Sequence, residues 1–333
     1  MKYQQFGIIV TDRCSAACKF CGWRCSPRNR GVISLELAKS AMDQAAALGI
    51  RQRLGLTGGE ALLYPELVAE ILSYGKSAGF QASSIASNGF WGAWPREKID
   101  QMLSLIEKNC NLICFSMDSF HAEYVPEQSV WNAATAAAEH GIRVSFSVAD
   151  VCGERGAGPY LASLSEKALK HSYSLYPLER IGNAENLPEE LFVKTLSRED
   201  EWGCPAGGLI SVMYDGRVFP CCNPGIFDTD FSLGSLQEHS LQDLLSNSRG
   251  IKRLRILQDP KYFRELMEWA AGELKIEIPE QMTSACELCY RVFRSQERLE
   301  SLEPGIDAIY QKMVLDYFFN PPEKETALKE AEP

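Results

Sequence analysis

Between residues 6 and 178 the chain alternates six short β-branched runs with helix-length amphipathic stretches, and this alternation limits the possible fold more than any other feature. The apolar runs cover 6–10, 53–57, 81–87, 111–117, 143–149 and 172–178. Between them lie stretches of helical period such as 34–48, 65–78 and 131–140, several closed by the Ala-Gly or His-Gly pairs expected at helix C-termini. Six strand-then-helix units predict an α/β fold with a parallel sheet and right-handed crossovers. In such sheets chemistry gathers at the carboxyl ends of the strands.

Beyond residue 179 the rhythm changes. Residues 209–214 and 217–220, separated by Asp215-Gly216, read as a β-hairpin, and helical stretches follow from about 241. From 321 the sequence PPEKETALKEAEP is charged and lacks apolar periodicity, which predicts disorder. With 333 residues, 45% of them hydrophobic, the chain exceeds the usual size of one core, so a catalytic domain with a smaller appendage is expected. The sequence contains no internal repeat.

A net charge of −10 gives no basic field to hold a phosphate backbone, so nucleic acid is excluded as an expected partner. The N-terminal MKYQQFGIIVTDRC is too short and polar for a signal peptide, and no apolar run approaches membrane-spanning length. A soluble, cytoplasmic protein without membrane partners is expected. In reducing cytosol its twelve cysteines point to metal or redox chemistry instead of disulfides.

Those cysteines form two constellations. Directly after the first strand, TDRCSAACKFCGW places Cys14, Cys18 and Cys21 on one loop. Three thiolates can hold three irons of a [4Fe–4S] cube and leave the fourth open; a zinc site would need a further ligand, for which Cys25 is available. After the second strand comes LTGGE, where Gly58 and Gly59 permit close backbone approach and Glu60 can accept from an ammonium group. Ser87-Asn88-Gly89 closes the third strand, and Ser116 and Asp118 close the fourth. Singly each is more readily a cap or turn than a ligand, but all fall on one rim. The second constellation comprises Cys204, the pair Cys221-Cys222, and Cys286 with Cys289. Four thiolates suit zinc or an iron–sulfur cluster. Successive side chains of an extended strand point opposite ways, so one of the adjacent pair is expected to stay free. Cys110 and Cys114 read as core residues, Cys25 and Cys152 stay open, and Trp91 and Trp94 are candidates for a substrate groove or for loop anchors. His121, just beyond Asp118, is equally a structural residue or a contact at the active rim.

The first constellation and its companions resemble the radical S-adenosylmethionine (SAM) superfamily. The resemblance implies a partial (β/α)6 TIM-like barrel over residues 1–200, with Cys14, Cys18 and Cys21 binding a [4Fe–4S] cluster whose open iron chelates SAM. It further implies that Phe20 lies against adenine, that Gly58, Gly59 and Glu60 hold the methionyl ammonium, and that Ser87, Ser116 and Asp118 contact ribose or carboxylate. The second constellation resembles a SPASM or twitch-type domain, which implies a small α+β iron–sulfur domain over 201–303, a C-terminal helix over 304–320 and a disordered tail over 321–333.

Within that group SNGFWG at 87–92, SMDSFHAEYV at 116–125, Cys204-Pro205, DGRVFPCCNPGIF at 215–227 and CELCYRVFRS at 286–295 are similar to the epipeptide peptide epimerases. That likeness implies a second [4Fe–4S] cluster on Cys204, Cys221, Cys286 and Cys289, with Cys222 as a hydrogen-atom donor; the alternative for Cys222 is a small buried hydrophobe. It implies a ribosomally synthesised precursor peptide as substrate and a reducing protein such as flavodoxin or ferredoxin. Oxidative peptide crosslinking is the second reading, and a zinc-binding module without catalysis the third. One departure stands: where the epimerases carry an acid after the first auxiliary cysteine, this chain has Gly207 and Gly208. The thirteen residues before Cys14 are expected to leave no room for a separate recognition domain, so the peptide would bind the barrel mouth or the C-terminal domain. Anaerobic purification is expected to yield a brown protein with about seven to eight irons per chain; a colourless protein containing zinc would overturn this reading.

Overall fold

A computed structural model describes residues 3–167, 172–204, 208–221 and 223–319. Six strands, β1 (Gln5–Thr11), β2 (Arg53–Gly58), β3 (Ser83–Ser87), β4 (Leu112–Ser116), β5 (Arg143–Asp150) and β6 (Ser172–Pro177), lie side by side in chain order and run parallel. The register aligns Ile8, Leu56, Ile85, Ile113 and Val144 in one row across five strands, all buried. Side chains at one level of a parallel sheet share a face, so this row forms a continuous apolar layer.

The crossover helices are α1 (Leu35–Ala47), α2 (Pro65–Ser77), α3 (Arg96–Ile106), α4 (Glu127–Glu139) and α5 (Gly158–Lys167). Each covers the sheet with an apolar stripe of helical period, as Ile99, Met102, Leu103 and Ile106 do in α3. Ser34 caps α1 by accepting from the Leu37 N–H, and Pro65 opens α2. Helix α4 begins a turn earlier than the periodicity predicts, because its first turn, Glu127-Gln128, is polar and begins after Pro126.

The second half is built on strands β7 (Leu196–Ser197), β8 (Leu209–Val212), β9 (Arg217–Phe219), β10 (Gly234–Ser235) and β11 (Gln281–Met282) and on helices α6 (Leu241–Ser246), α7 (Ser248–Gln258), α8 (Pro260–Leu274), α9 (Ala285–Val292) and α10 (Gln296–Phe319). The expected hairpin is β8–β9, but it does not stand apart. Strand β8 pairs in parallel with the free side of β1, from Gln5 opposite Leu209 to Ile8 opposite Val212, and β9 and β10 follow antiparallel. One nine-stranded sheet therefore runs through both halves, in the order β10-β9-β8-β1 to β6. A second core gathers Trp202, Phe219, Phe231, Phe263 and Phe293 under α7 to α10.

The expected boundary between 303 and 304 is not observed. Helix α10 continues through it with Pro304 inside, its inner face buried at Leu299, Leu302, Ile306 and Ile309. The tail at 321–333 lies outside the described residues. Among the described residues no helix is long and apolar enough to cross a membrane.

His140, at the end of α4, ties two helices together: its Nδ1 meets Glu107 at 2.6 Å and its Nε2 meets Asp100 at 3.1 Å. The Glu107 carboxylate, then Asp100, raises the imidazole above its ordinary 6.5. A group whose pKa is raised by folding stabilises most when protonated in both states. The stability difference between wild type and His140→Gln should therefore be full below pH 6.5 and shrink as pH rises through the elevated value, as thermal unfolding of both proteins across that range would reveal.

Candidate active site

The loop between β1 and α1 carries Cys14, Cys18 and Cys21 and is pinned at both ends by backbone. Cys14 N–H bonds the Ser26 carbonyl and Ile33 N–H the Val10 carbonyl. Asp12 accepts from Gly31 N–H at 2.8 Å and from the Tyr214 hydroxyl at 2.9 Å, which braces the loop against the β8–β9 hairpin. Arg24, in the left-handed region at φ 51°, reaches Glu185 at 3.1 Å and the Tyr290 hydroxyl at 3.3 Å.

The thiols carry N–H···S bonds of the kind that stabilise iron–sulfur ligands. Ala16 N–H and the Asn88 amide donate to Cys14 Sγ at 3.4 and 3.7 Å, and Cys25 N–H donates to Cys21 Sγ at 3.4 Å. Burial raises Cys14 to about 12 and Cys18 further. Cys21 is lowered to about 6, chiefly by its interaction with the neighbouring Cys25, and Cys25 is raised in return. Cys25, open in the sequence, is thus a buried donor to Cys21.

Gly58 and Gly59 are required by close approach. A Cβ at Gly58, where φ is 149°, would lie 2.3 Å from the Thr11 carbonyl oxygen, and one at Gly59 would lie 2.2 Å from that of Arg13. The two loop starts instead zip together, Gly59 N–H to Thr11 O at 2.7 Å and Glu60 N–H to Arg13 O at 2.9 Å.

Glu60 is almost completely buried, and three donors converge on it: Leu62 N–H at 3.1 Å, the Ser87 hydroxyl at 3.1 Å and Asn88 N–H at 2.7 Å. A carboxylate has about four lone-pair sites, so one remains. Burial raises its pKa to about 7 against the opposing Asn88 bond. Among the described residues no lysine or arginine pairs with it.

One expectation is corrected here. The Ser87 hydroxyl donates to Glu60 and accepts from Gly89 N–H and Trp91 Nε1, a full complement that leaves nothing for ribose or carboxylate. Asp118 accepts Phe120 and His121 N–H at 3.0 Å each through Oδ1 and meets His121 Nδ1 at 2.7 Å through Oδ2, which leaves it one lone-pair site of about four. Its carboxylate is buried and acts through His121. Burial alone would depress the imidazole's pKa, but Asp118 raises it. His121 and Ser116 line a cavity of about 190 Å³ with Cys14, Cys18, Cys21 and Gly59. Phe20 borders it too, packed on Phe120 and edge-on to His121 at 5.0 and 5.1 Å. Asn88 joins that wall, a residue whose place in the Ser-Asn-Gly turn after β3 signalled it. Trp91 lines no groove: it is fully buried against Phe115, and Trp94 packs under Lys98.

Cys204, Cys221, Cys286 and Cys289 come from the loop before β8, the loop after β9, and α9, and they line one apolar pocket with Ile226, Leu257 and Phe263. Asn223 N–H donates to Cys221 Sγ at 3.2 Å. Burial raises Cys286 and Cys289 well above the ordinary thiol value. Among the described residues no three His, Cys, Asp or Glu side chains close on a point as a single ion requires. The four thiols ring a space suited to a group that brings its own irons and sulfides, and an all-thiol donor set in apolar surroundings fits such a cluster. Cys222 lies outside the described residues, as does Gly207; Gly208 uses its carbonyl to accept Gln4 and Gln5 N–H beside β1. Cys110 is core, Cys114 is half-buried and Cys152 is exposed.

Between the two thiol sites opens a larger cavity of about 830 Å³, its wall including Tyr176, Glu179, Thr195, Cys221, Asn223 and Ser284. Phe20, Gly22, Tyr176 and Pro224 border it and the smaller cavity alike, so the two are contiguous.

Comparison with known proteins agrees with this geometry. Residues 8–153 match the radical SAM superfamily, and residues 204–290 match the SPASM iron–sulfur cluster-binding domain. The chain is 25% identical to the peptide biosynthesis protein YydG of Bacillus subtilis over 311 residues, which cover 92% of this chain and 97% of that one. It is 24% identical to a GTP 3′,8-cyclase of Synechococcus elongatus over 153 residues, 45% of this chain and 46% of that enzyme. Among solved structures, anSMEcpe with bound AdoMet superposes with a TM-score of 0.58 at 12% identity, covering 93% of this chain and all of that one. BtrN in complex with AdoMet and 2-DOIA gives 0.51 at 18% identity, covering 78% and 90%. These likenesses show the fold, a partial TIM-like barrel with an appended domain. The matched domains, with thiols positioned to hold a [4Fe–4S] cluster for SAM at one end of the cavity and further iron–sulfur at the other, make this chain a radical SAM enzyme with a SPASM domain.

Proposed function

We propose that the enzyme inverts a Cα centre of a ribosomally synthesised precursor peptide, removing the Cα hydrogen and returning one from Cys222 to give a D-residue. The observation that carries this reading is the cavity of about 830 Å³ joining the two thiol sites, with Cys221 and Asn223 in its wall. Its volume lies within the roughly 300–1,000 Å³ of ordinary ligand pockets. Nearly full-length similarity to a protein named for peptide biosynthesis supports a peptide as its occupant. The charged side chains in its wall among the described residues are Glu179 and Glu201, which favours a neutral or cationic peptide segment.

Cys14, Cys18 and Cys21 would hold the cluster that binds SAM, and Cys204, Cys221, Cys286 and Cys289 the second one. Cluster and SAM together supply a one-electron cleavage whose product abstracts hydrogen. The last lone-pair site of Glu60, with the Gly58-Gly59 backbone, would receive the methionyl ammonium, an arrangement that gives this buried carboxylate its missing cation. Phe20 would bear on adenine, while Ser116 and His121, the latter aimed by Asp118, would face ribose or carboxylate. Leu178, Ile181 and Leu196 give the larger cavity an apolar stretch of wall, against which a carbon radical would be shielded from solvent. Cys222 would transfer its S–H hydrogen to the Cα radical from the opposite face. The lost hydrogen is restored as a proton plus an electron from a reducing protein such as flavodoxin or ferredoxin.

Oxidative crosslinking, forming a thioether or carbon–carbon bond, is the second reading, favoured by Gly208 where the resemblance implies an acid nearby. Co-expression with the precursor in deuterated water separates the two. Inversion yields a D-residue carrying deuterium, crosslinking a product that has lost hydrogen. Cys222→Ala is expected to abolish the D-residue while 5′-deoxyadenosine release persists, and unchanged product from this variant would refute the assignment. Glu60→Gln should weaken SAM binding on the order of tenfold at unchanged iron content, measured by equilibrium binding.

A further inference from the structure

Glu179 follows β6 and is bound, oxygen by oxygen, to two segments distant from it in the chain. Its Oε2 accepts from Asn223 Nδ2 and its Oε1 from the Ser284 hydroxyl, both at 2.5 Å. Each partner adjoins auxiliary thiols. Asn223 also donates its backbone N–H to Cys221 Sγ at 3.2 Å, and Ser284 immediately precedes α9, which carries Cys286 and Cys289.

The orientation of both donors is fixed by their surroundings. Asn223 Oδ1 accepts from Gly225 N–H at 2.9 Å, so its amide nitrogen must face Glu179. Ser284 occupies the N-cap position of α9, where a serine ordinarily accepts from the first turn, yet its side chain makes no such bond. Glu287 serves that end of the helix instead, accepting from Thr283 N–H and hydroxyl while pairing with Arg291 at 2.6 Å. The Ser284 hydroxyl is thereby left to donate to Glu179. All three residues lie in the wall of the larger cavity, and among the described residues no lysine or arginine pairs with the carboxylate.

We propose that Glu179 is a positioning residue, which braces the Cys221 and Cys286 segments against the barrel and so fixes both the auxiliary thiol ring and the adjoining wall of the substrate cavity. The part of this that concerns substrate rests on reading that cavity as the peptide site; the brace itself does not. It acts through the geometry of its two bonds. Glutamine at this position keeps an acceptor for Asn223 and offers an N–H to Ser284, whose hydroxyl can accept as well as donate. Alanine keeps neither bond.

The test compares Glu179→Gln with Glu179→Ala. In a chain also carrying Cys14→Ala, Cys18→Ala and Cys21→Ala, only auxiliary iron remains, and its electron paramagnetic resonance spectrum is recorded after reduction with dithionite, without peptide. Glu179→Ala should shift or broaden that spectrum, or lose the cluster, and Glu179→Gln should restore it. In the otherwise wild-type enzyme, Glu179→Ala should raise KM for the precursor peptide on the order of tenfold or more, with the glutamine variant recovering most of the loss. An alanine variant with an unaltered spectrum overturns the proposal. So does a glutamine variant as impaired as alanine, since charge and not bonding would then be what the site needs. If no peptide is turned over but the spectrum responds as stated, the peptide reading fails and the brace stands.

Discussion

Two backbone hydrogen bonds, from Gly59 and Glu60 N–H to the carbonyls of Thr11 and Arg13, join the chain just beyond β1 to the chain just beyond β2. They bring the cysteine loop against the Gly-Gly-Glu turn, and they exist only because neither glycine has a Cβ to hold the backbones apart. The rest of the site is stacked on this contact. Glu60 enters from the turn, gathers Ser87 and Asn88 from the end of β3, and Asn88 in turn reaches the Cys14 sulfur. A rim assembled from the carboxyl ends of three parallel strands is thus held by backbone and buried carboxylate, not by surface ion pairs, which are screened and worth little.

The second constraint is the placement of β8 beside β1. This pairing makes the edge strand of the catalytic half the seam between the halves, and the loops flanking the β8–β9 hairpin bring Cys204 and Cys221 to the auxiliary thiol pocket, with Cys221 also facing the larger cavity. Tyr214, on the same hairpin, bonds Asp12 at the start of the cysteine loop. The distance between the two thiol sites is therefore set by one continuous sheet and by direct bonds across it, including those of Arg24 to Tyr290 and of Glu179 to Asn223 and Ser284. A radical enzyme gains from such rigidity, because a reactive centre is guided to one outcome only where the groups around it hold their positions.

Much of this was legible beforehand, for identifiable reasons. All six parallel strands fall within two residues of the positions their β-branched runs predict, and Ser34, Pro65 and the Gly closures mark helix ends by local chemistry. Spacing marks the first cysteine loop, while the later cysteines are grouped by their place in the chain and by resemblance, and the structure brings Cys204, Cys221, Cys286 and Cys289 to one pocket. What misled was chemistry that depends on neighbours. Ser87 stands on the expected rim with the expected group, yet its hydrogen-bonding capacity is consumed by Glu60, Gly89 and Trp91. Of the two roles open to Trp91, substrate groove or loop anchor, the structure shows the second, with the ring buried and its indole N–H on Ser87.

Local periodicity and covalent spacing thus decided the alternating strands and helices and the cysteine loop after β1, because each depends only on residues within a few positions of one another. The parallel seam between β8 and β1, the unbroken run of α10 through Pro304 and the joining of Glu179 to Asn223 and Ser284 were decided in three dimensions alone. Partners brought together across 44 and 105 positions leave no mark in sequence period, and a side chain's remaining lone pairs can be counted only when every neighbour that bonds it is in place.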